Sequence, residues 1–156
     1  MKRITLTFIC FSCVWLVLTG CKKTVTQNEI DQFINSKNLE QVSIQKLSDD
    51  EYYIFSSPYV YIYRGSSGYV KSSGLVKEKI VIGGLQKGSI GLIINNLRVL
   101  REAKTYSIII DGKTREYEYH GEKYLIIKDH RIWNPTAQLK IIFLSDQNEK
   151  IFETEY

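Results

Sequence analysis

Cys21 stands where an apolar run gives way to lysines, in Leu-Val-Leu-Thr-Gly-Cys-Lys-Lys. A thiol there could react, pair or carry a modification. The chain has three cysteines. Cys10 and Cys13 have the C-x-x-C spacing of a redox motif, but both lie inside the apolar run, which excludes that use. Gly83 and Gly88, in Val-Ile-Gly-Gly-Leu-Gln-Lys-Gly-Ser-Ile-Gly, have the G-x-x-x-x-G spacing. A phosphate loop needs Lys and then Ser or Thr after the second glycine, followed by a helix. Ser89 and Ile90 follow instead and read as strand, so a turn or bulge between strands is expected. Gly65 to Gly68 is one residue short of a nucleophile elbow. Ser43 and Lys46 match S-x-x-K by letters, yet on a strand they face opposite ways. His120 and His130 are the two histidines. Asp129 beside His130 could support a catalytic dyad, but no serine or cysteine nucleophile motif accompanies it. These positions are expected to be solvated loop residues. Two histidines without a thiol are thin material for zinc. Asp49, Asp50 and Glu51 lack the alternating spacing of a calcium loop and are expected to form a hairpin turn. No catalytic residue, metal site or cofactor is expected.

The apolar run belongs to a three-part N-terminus. Met-Lys-Arg is a short basic start, and residues 4–18 form an apolar stretch of fifteen residues. That is shorter than a spanning helix needs and has the length of a signal-peptide core. Leu18, Thr19, Gly20 and Cys21 then follow. This ending resembles the bacterial lipobox, in which a leucine and two small residues precede a cysteine. The resemblance implies that residues 1–20 are a lipoprotein signal peptide and that Cys21 is the lipidated N-terminus of the mature chain. Cys10 and Cys13 would leave with the signal, so no intramolecular disulfide is possible. Two or more acyl chains give stable anchoring where one is marginal. Lys22 and Lys23 would add attraction to an anionic surface. The expected partner is therefore the membrane, through a lipid anchor at Cys21 on the extracytoplasmic face.

The rest must fold without disulfides. The chain has 156 residues, enough for one domain. Ala103 and Ala137 are the only alanines, while isoleucine and tyrosine abound. That composition favours sheet. The net charge of +4 falls to +2 without Lys2 and Arg3 (4 − 2 = 2), and no basic cluster interleaved with aromatics supports a nucleic-acid partner. Residues 21–27 read as a lipidated tether, and 28–156 as a β-rich domain with a short leading helix. In that helix Ile30, Phe33 and Ile34 recur at helical spacing, with Thr26 or Asn28 as cap. From residue 41 the period becomes two. Residues 41–56 read as a hairpin. Tyr59, Tyr61 and Tyr63 alternate with Val60 and Ile62. Lys-Glu-Lys-Ile-Val-Ile reads as a strand ending at Gly83-Gly84, and Ser89 to Asn95 as another apolar segment. Asp111-Gly112 is a tight-turn signal between two strands. Further strands follow at Lys123 to Lys128, after a loop with Trp133 and Pro135 at Gln138 to Leu144, and at the C-terminus. This spacing suggests an antiparallel β-sandwich or a partly open barrel. Two small β-subdomains meeting near 83–91 are the alternative division.

The order of a tyrosine hairpin, a Gly/Ser stretch, Ile-Gly-Gly-Leu-x-x-Gly-Ser-Ile-Gly and an Asp-Gly hairpin is similar to small β-rich lipoproteins and secreted β-domains of low-GC Gram-positive bacteria. The resemblance implies an immunoglobulin-like or transthyretin-like sandwich in an extracytoplasmic setting, and no activity. Tyrosine combines an apolar body with a polar tip, so Tyr59, Tyr61 and Tyr63 are the candidate binding face. A half-buried strand face would use tyrosine equally well. The function expected is a non-enzymatic binding module acting on an envelope protein or a cell-wall polymer. The alternative is an immunity or inhibitor lipoprotein directed at a toxin or envelope hydrolase, and an envelope enzyme is the third reading.

Overall fold

The computed structural model describes residues 24–132 and 138–155. The signal segment 1–20 with Leu18, Thr19 and Gly20, the lipidation candidate Cys21, and the loop with Trp133 and Pro135 lie outside the described residues. The chain is mainly β, with three antiparallel four-stranded sheets and a short leading helix, in a sandwich-like arrangement.

Helix α1 spans Gln27–Ser36. Thr26 caps it: its hydroxyl accepts from the Glu29 amide at 3.3 Å, and its own amide donates to the Glu29 carboxylate at 2.9 Å. This reciprocal box satisfies two otherwise orphaned donors. Val25 is buried, so the folded part starts before residue 28, inside the segment read as tether.

The first sheet runs β1 (Ser43–Lys46), β2 (Tyr52–Ser56), β3 (Tyr59–Tyr63) and β4 (Tyr69–Ser73), neighbour to neighbour. Its period of two sorts the side chains. Tyr61, Tyr63 and Ile54 face α1, where Ile30 and Phe33 cover them. Tyr53, Phe55, Val60 and Ile62 face the second sheet and meet Val81 and Ile93.

The second sheet is ordered β10 (Tyr124–Lys128), β7 (Ser89–Ile94), β6 (Ile80–Gln86), β5 (Leu75–Lys77). It is covered on both faces. Ile80, Ile82, Ile90, Leu92 and Ile94 turn away from the first sheet and join the largest core cluster, with Ile108, Ile141, Phe143 and Phe152. A strand buried on both sides has no polar face, so its sequence reads as a continuous apolar run. The third sheet is ordered β12 (Lys150–Glu155), β11 (Leu139–Leu144), β8 (Thr105–Ile110), β9 (Lys113–Glu118). The layers are thus helix, sheet, sheet, sheet.

Several elements differ from the sequence reading. Glu78 and Lys79, read as part of one strand, form the turn between β5, which was not expected, and β6, both at positive φ. Strand β6 does not end at Gly83-Gly84 but continues to Gln86, with a register shift against β7 between Gly83 and Gln86. The glycines serve close approach. A Cβ on Gly84, at φ +63°, would lie 2.6 Å from the Tyr53 ring and 2.8 Å from Val60, and one on Gly91 would lie 3.0 Å from Tyr53 and Phe55. Helix α2 (Leu97–Glu102), capped by Asn96, was not expected. Its Val99 is buried in the largest cluster. Asp111 and Gly112 form the expected turn between β8 and β9, both at positive φ. Among the described residues no helix is long and apolar enough to cross a membrane.

Candidate functional site: an open strand edge and two closed polar clusters

Asp129 is not the solvated loop residue its sequence context suggested. Its side chain is fully buried, and Arg131 grips it from two residues away: Arg131 Nη2 donates to Oδ2 at 2.6 Å and Nε to Oδ1 at 3.0 Å. The Arg131 amide donates to Oδ1 at 2.9 Å, and the Tyr117 hydroxyl to Oδ2 at 3.0 Å. Arg131 also donates to the Lys113 carbonyl at 2.7 Å. These bonds favour the anion more than burial disfavours it, so Asp129 is held well below the usual carboxylate range. The turn itself docks on the β6–β7 connection, where the Asp129 amide donates to the Gly88 carbonyl at 3.0 Å. The cluster ties the β10 end to β9. His130 projects outward and is exposed, its Nδ1 3.8 Å from Asp129 Oδ1. The carboxylate that would orient it is already engaged by Arg131 and Tyr117. His120 is exposed too, 3.8 Å from Glu118. Among the described residues no group of three His, Cys, Asp or Glu is arranged to hold a metal ion.

A second cluster closes the seam between the first two sheets. The Tyr53 hydroxyl donates to the Gly84 carbonyl at 2.6 Å and lies 2.9 Å from Ser89 Oγ. Gln86 donates to Ser89 at 3.2 Å and accepts from Arg64 at 2.7 Å. Arg64 Nε donates to Glu51 at 2.5 Å. Burial pushes the Tyr53 phenol up to about 12. Beside this seam lies a cleft of about 140 Å³, lined by Thr24, Val25, Glu29, Asp50, Arg64 and the turn at Gly65. Gly83 and Ser89 of the G-x-x-x-x-G run therefore belong to the packing of the sheets, and Gly88 to the turn between β6 and β7. Among the described residues, Ser89 is taken up by Tyr53 and Gln86.

The tyrosine strand is only partly a surface. Tyr61 and Tyr63 are 3% and 7% exposed, sealed by Phe33 at ring-centroid distances of 5.7 Å and 4.6 Å. Tyr63 donates from its hydroxyl to the Glu29 carbonyl at 3.1 Å. Tyr59, half-buried, carries the ammonium of Lys71 3.6 Å above its ring. A binding face across all three rings is therefore not what the strand presents. The helix occupies two of them.

Exposed apolar side chains lie one strand further on, besides Ile44 in β1 and Leu97 in α2. Tyr69 is 44% exposed and Val70 45%, both in β4, the edge of the first sheet. Leu75 and Val76 are exposed in β5, the edge of the second. The edge of β4 has a definite hydrogen-bonding sense. The Arg64 amide donates to the Gly68 carbonyl at 2.9 Å, so that pair is hydrogen-bonded. In an antiparallel ladder such pairs alternate. Val70 opposite Ile62 and Ser72 opposite Val60 are then bonded pairs, in the observed register. The amides and carbonyls of Tyr69, Lys71 and Ser73 consequently point away from β3, toward the open side. Sequence reasoning missed the edge position of β4, which depends on strand order.

No family model matches the chain, and no curated protein and no solved structure matches it.

Proposed function

We propose that the protein is a lipid-anchored binding module on the extracytoplasmic face of the cell membrane, holding an envelope partner through a strand edge and catalysing no reaction. The observation that carries the binding part is the β4 edge: outward backbone groups at Tyr69 and Lys71, flanked by exposed Tyr69 and Val70. A sheet edge of this kind is a template for an added strand. The anchoring part is supported by Leu18-Thr19-Gly20-Cys21 at the end of the apolar run. Four residues from Cys21 to Val25 span at most about 14 Å, which would hold α1 and the first sheet near the surface. A binding rather than catalytic role is supported by the polar clusters. Asp129 and Ser89 are engaged by neighbouring side chains.

The test is surface accessibility combined with capture. Protease added to intact cells or protoplasts should digest the membrane-bound protein. Cross-linking from solubilised envelope should retain a partner that a Lys71→Glu variant loses. A protein that is protected from external protease would contradict the reading.

A further inference from the structure

The β4 edge carries two different faces, and together they specify what could join it. On the helix side stand two ammonium groups over tyrosine rings. Lys71 Nζ lies 3.6 Å from the Tyr59 centroid and 5.9 Å from that of Tyr61, and Lys37 Nζ lies 4.9 Å from that of Tyr69. On the opposite side Val70 and Ser72 are partly open, Val70 at 45%. A strand laid along β4 alternates its own side chains in the same way. Residues falling on the helix side meet two cations on an aromatic floor, and residues falling on the other side meet valine.

We infer that β4 recognises an extended acidic segment of a protein partner, with carboxylates alternating with apolar side chains, added as a fifth strand to the first sheet. This rests on the binding-module reading and gives its partner a chemistry. Lysine on an edge strand is a common guard against pairing with further copies of the same chain. Two copies joined here would gather Lys37 and Lys71 of both on one face, a like-charge arrangement that is unfavourable across strands. The same lysines attract a carboxylate-bearing strand. The guard therefore selects a partner of opposite charge. The aromatic floor holds each ammonium in place by cation–π attraction, so little side-chain freedom remains to be lost on binding.

The experiment uses the full chain in zwitterionic detergent micelles and a capped octapeptide alternating glutamate and valine. Binding is read by amide hydrogen exchange and by titration. The expected result is protection of the Tyr69 and Lys71 amides. A lysine–valine peptide should bind at least about tenfold more weakly, as electrostatic complementarity requires. Lys71→Glu should reverse the preference between the two peptides while leaving the melting temperature within about 2 °C, as for an exposed substitution. Lys71→Pro, which removes one outward amide without touching the β3 ladder, should weaken the acidic peptide by a similar factor. The inference is overturned if a proline-interrupted glutamate peptide binds equally well, or if the edge amides stay unprotected. It is also overturned if phosphatidylglycerol vesicles protect them and the peptide does not, or if the protein dimerises through this edge. Lipid on Cys21 does not enter the assay. A free thiol there leaves this inference standing, and failure here leaves the anchor to its own test.

Discussion

The ring of Phe33 is stacked on that of Tyr63, with centroids 4.6 Å apart and planes at 29°. One residue comes from α1, the other from β3, and the pair is the joint by which the helix seats on the first sheet. Phe33 also meets Tyr61 edge-on at 5.7 Å. Removing the ring should leave a cavity with no water-accessible replacement. Phe33→Ala is expected to cost about 3 kcal/mol. Replacing Tyr61 and Tyr63 together with serine should cost at least as much. Urea unfolding would measure both. An unchanged midpoint for the double variant would mean that the tyrosines are surface after all.

Asp129 should set part of the acid sensitivity of the fold. Its carboxyl ordinarily titrates near 3.8, and in the folded protein Arg131 holds it far lower. A lowered native value stabilises the fold fully above about pH 4. That contribution fades as pH falls toward the native value. Asp129→Asn leaves the half-buried Arg131 without its carboxylate partner and should cost about 3 kcal/mol at neutral pH. The gap between wild type and variant should narrow steadily below about pH 4. A gap that stays constant down to about pH 2 would contradict the ion pair as described. His130→Ala, at an exposed position, should change stability by less than about 0.5 kcal/mol.

The legible part of this fold was the part governed by local periodicity. Alternation from Tyr59 to Tyr63 placed a strand and its two faces. The helical spacing of Ile30, Phe33 and Ile34 announced α1, with Thr26 one of two candidate caps. Asp111-Gly112 announced a turn. What could not be read depends on contacts distant in sequence. Gly83-Gly84 looked like a strand end because glycine signals a turn. Here it marks where Tyr53 and Val60 of another sheet press against β6. Helix α2 is six residues long, too short for a periodic signal. Asp129 looked solvated because charge predicts exposure. Its burial is made possible by Arg131 and by Tyr117, twelve positions earlier. The edge status of β4 is a property of strand order, which alternation does not encode.

The close approach at Gly84 gives a sharp contrast within one hairpin. A Cβ there meets Tyr53 at 2.6 Å and Val60 at 2.8 Å, at φ +63°. Gly88 is also at positive φ, +81°, but has open space around it. Gly88→Ala should lose about 1–2 kcal/mol, from backbone conformation alone. Gly84→Ala should lose that and about 1–3 kcal/mol more from overpacking. Thermal unfolding of the two variants would check the order. Equal losses would mean that the two sheets are not in contact at this point.

Tyrosine titration reports on burial in two of the core clusters together. Burial pushes Tyr53, between the first and second sheets, and Tyr106, in the largest cluster, each up to about 12. A raised phenol value stabilises the fold below about pH 10, and that contribution is lost as pH rises through the native value. Native-state phenolate absorbance should therefore show a late fraction that ordinary tyrosines do not. In denaturant that fraction should merge with the rest near pH 10. A native titration identical to the denatured one would contradict the burial of both rings.

The anchored, extracytoplasmic setting depends on where the mature chain begins and what it carries. Mass spectrometry of the N-terminal peptide from membrane-purified protein measures both at once. The expected mature chain starts at Cys21 and bears a diacylglyceryl group on sulfur. Cys21→Ser should leave the protein without lipid, either unprocessed or released. A mature chain that starts elsewhere, or a free thiol at Cys21 on membrane-bound protein, would contradict the anchored module directly.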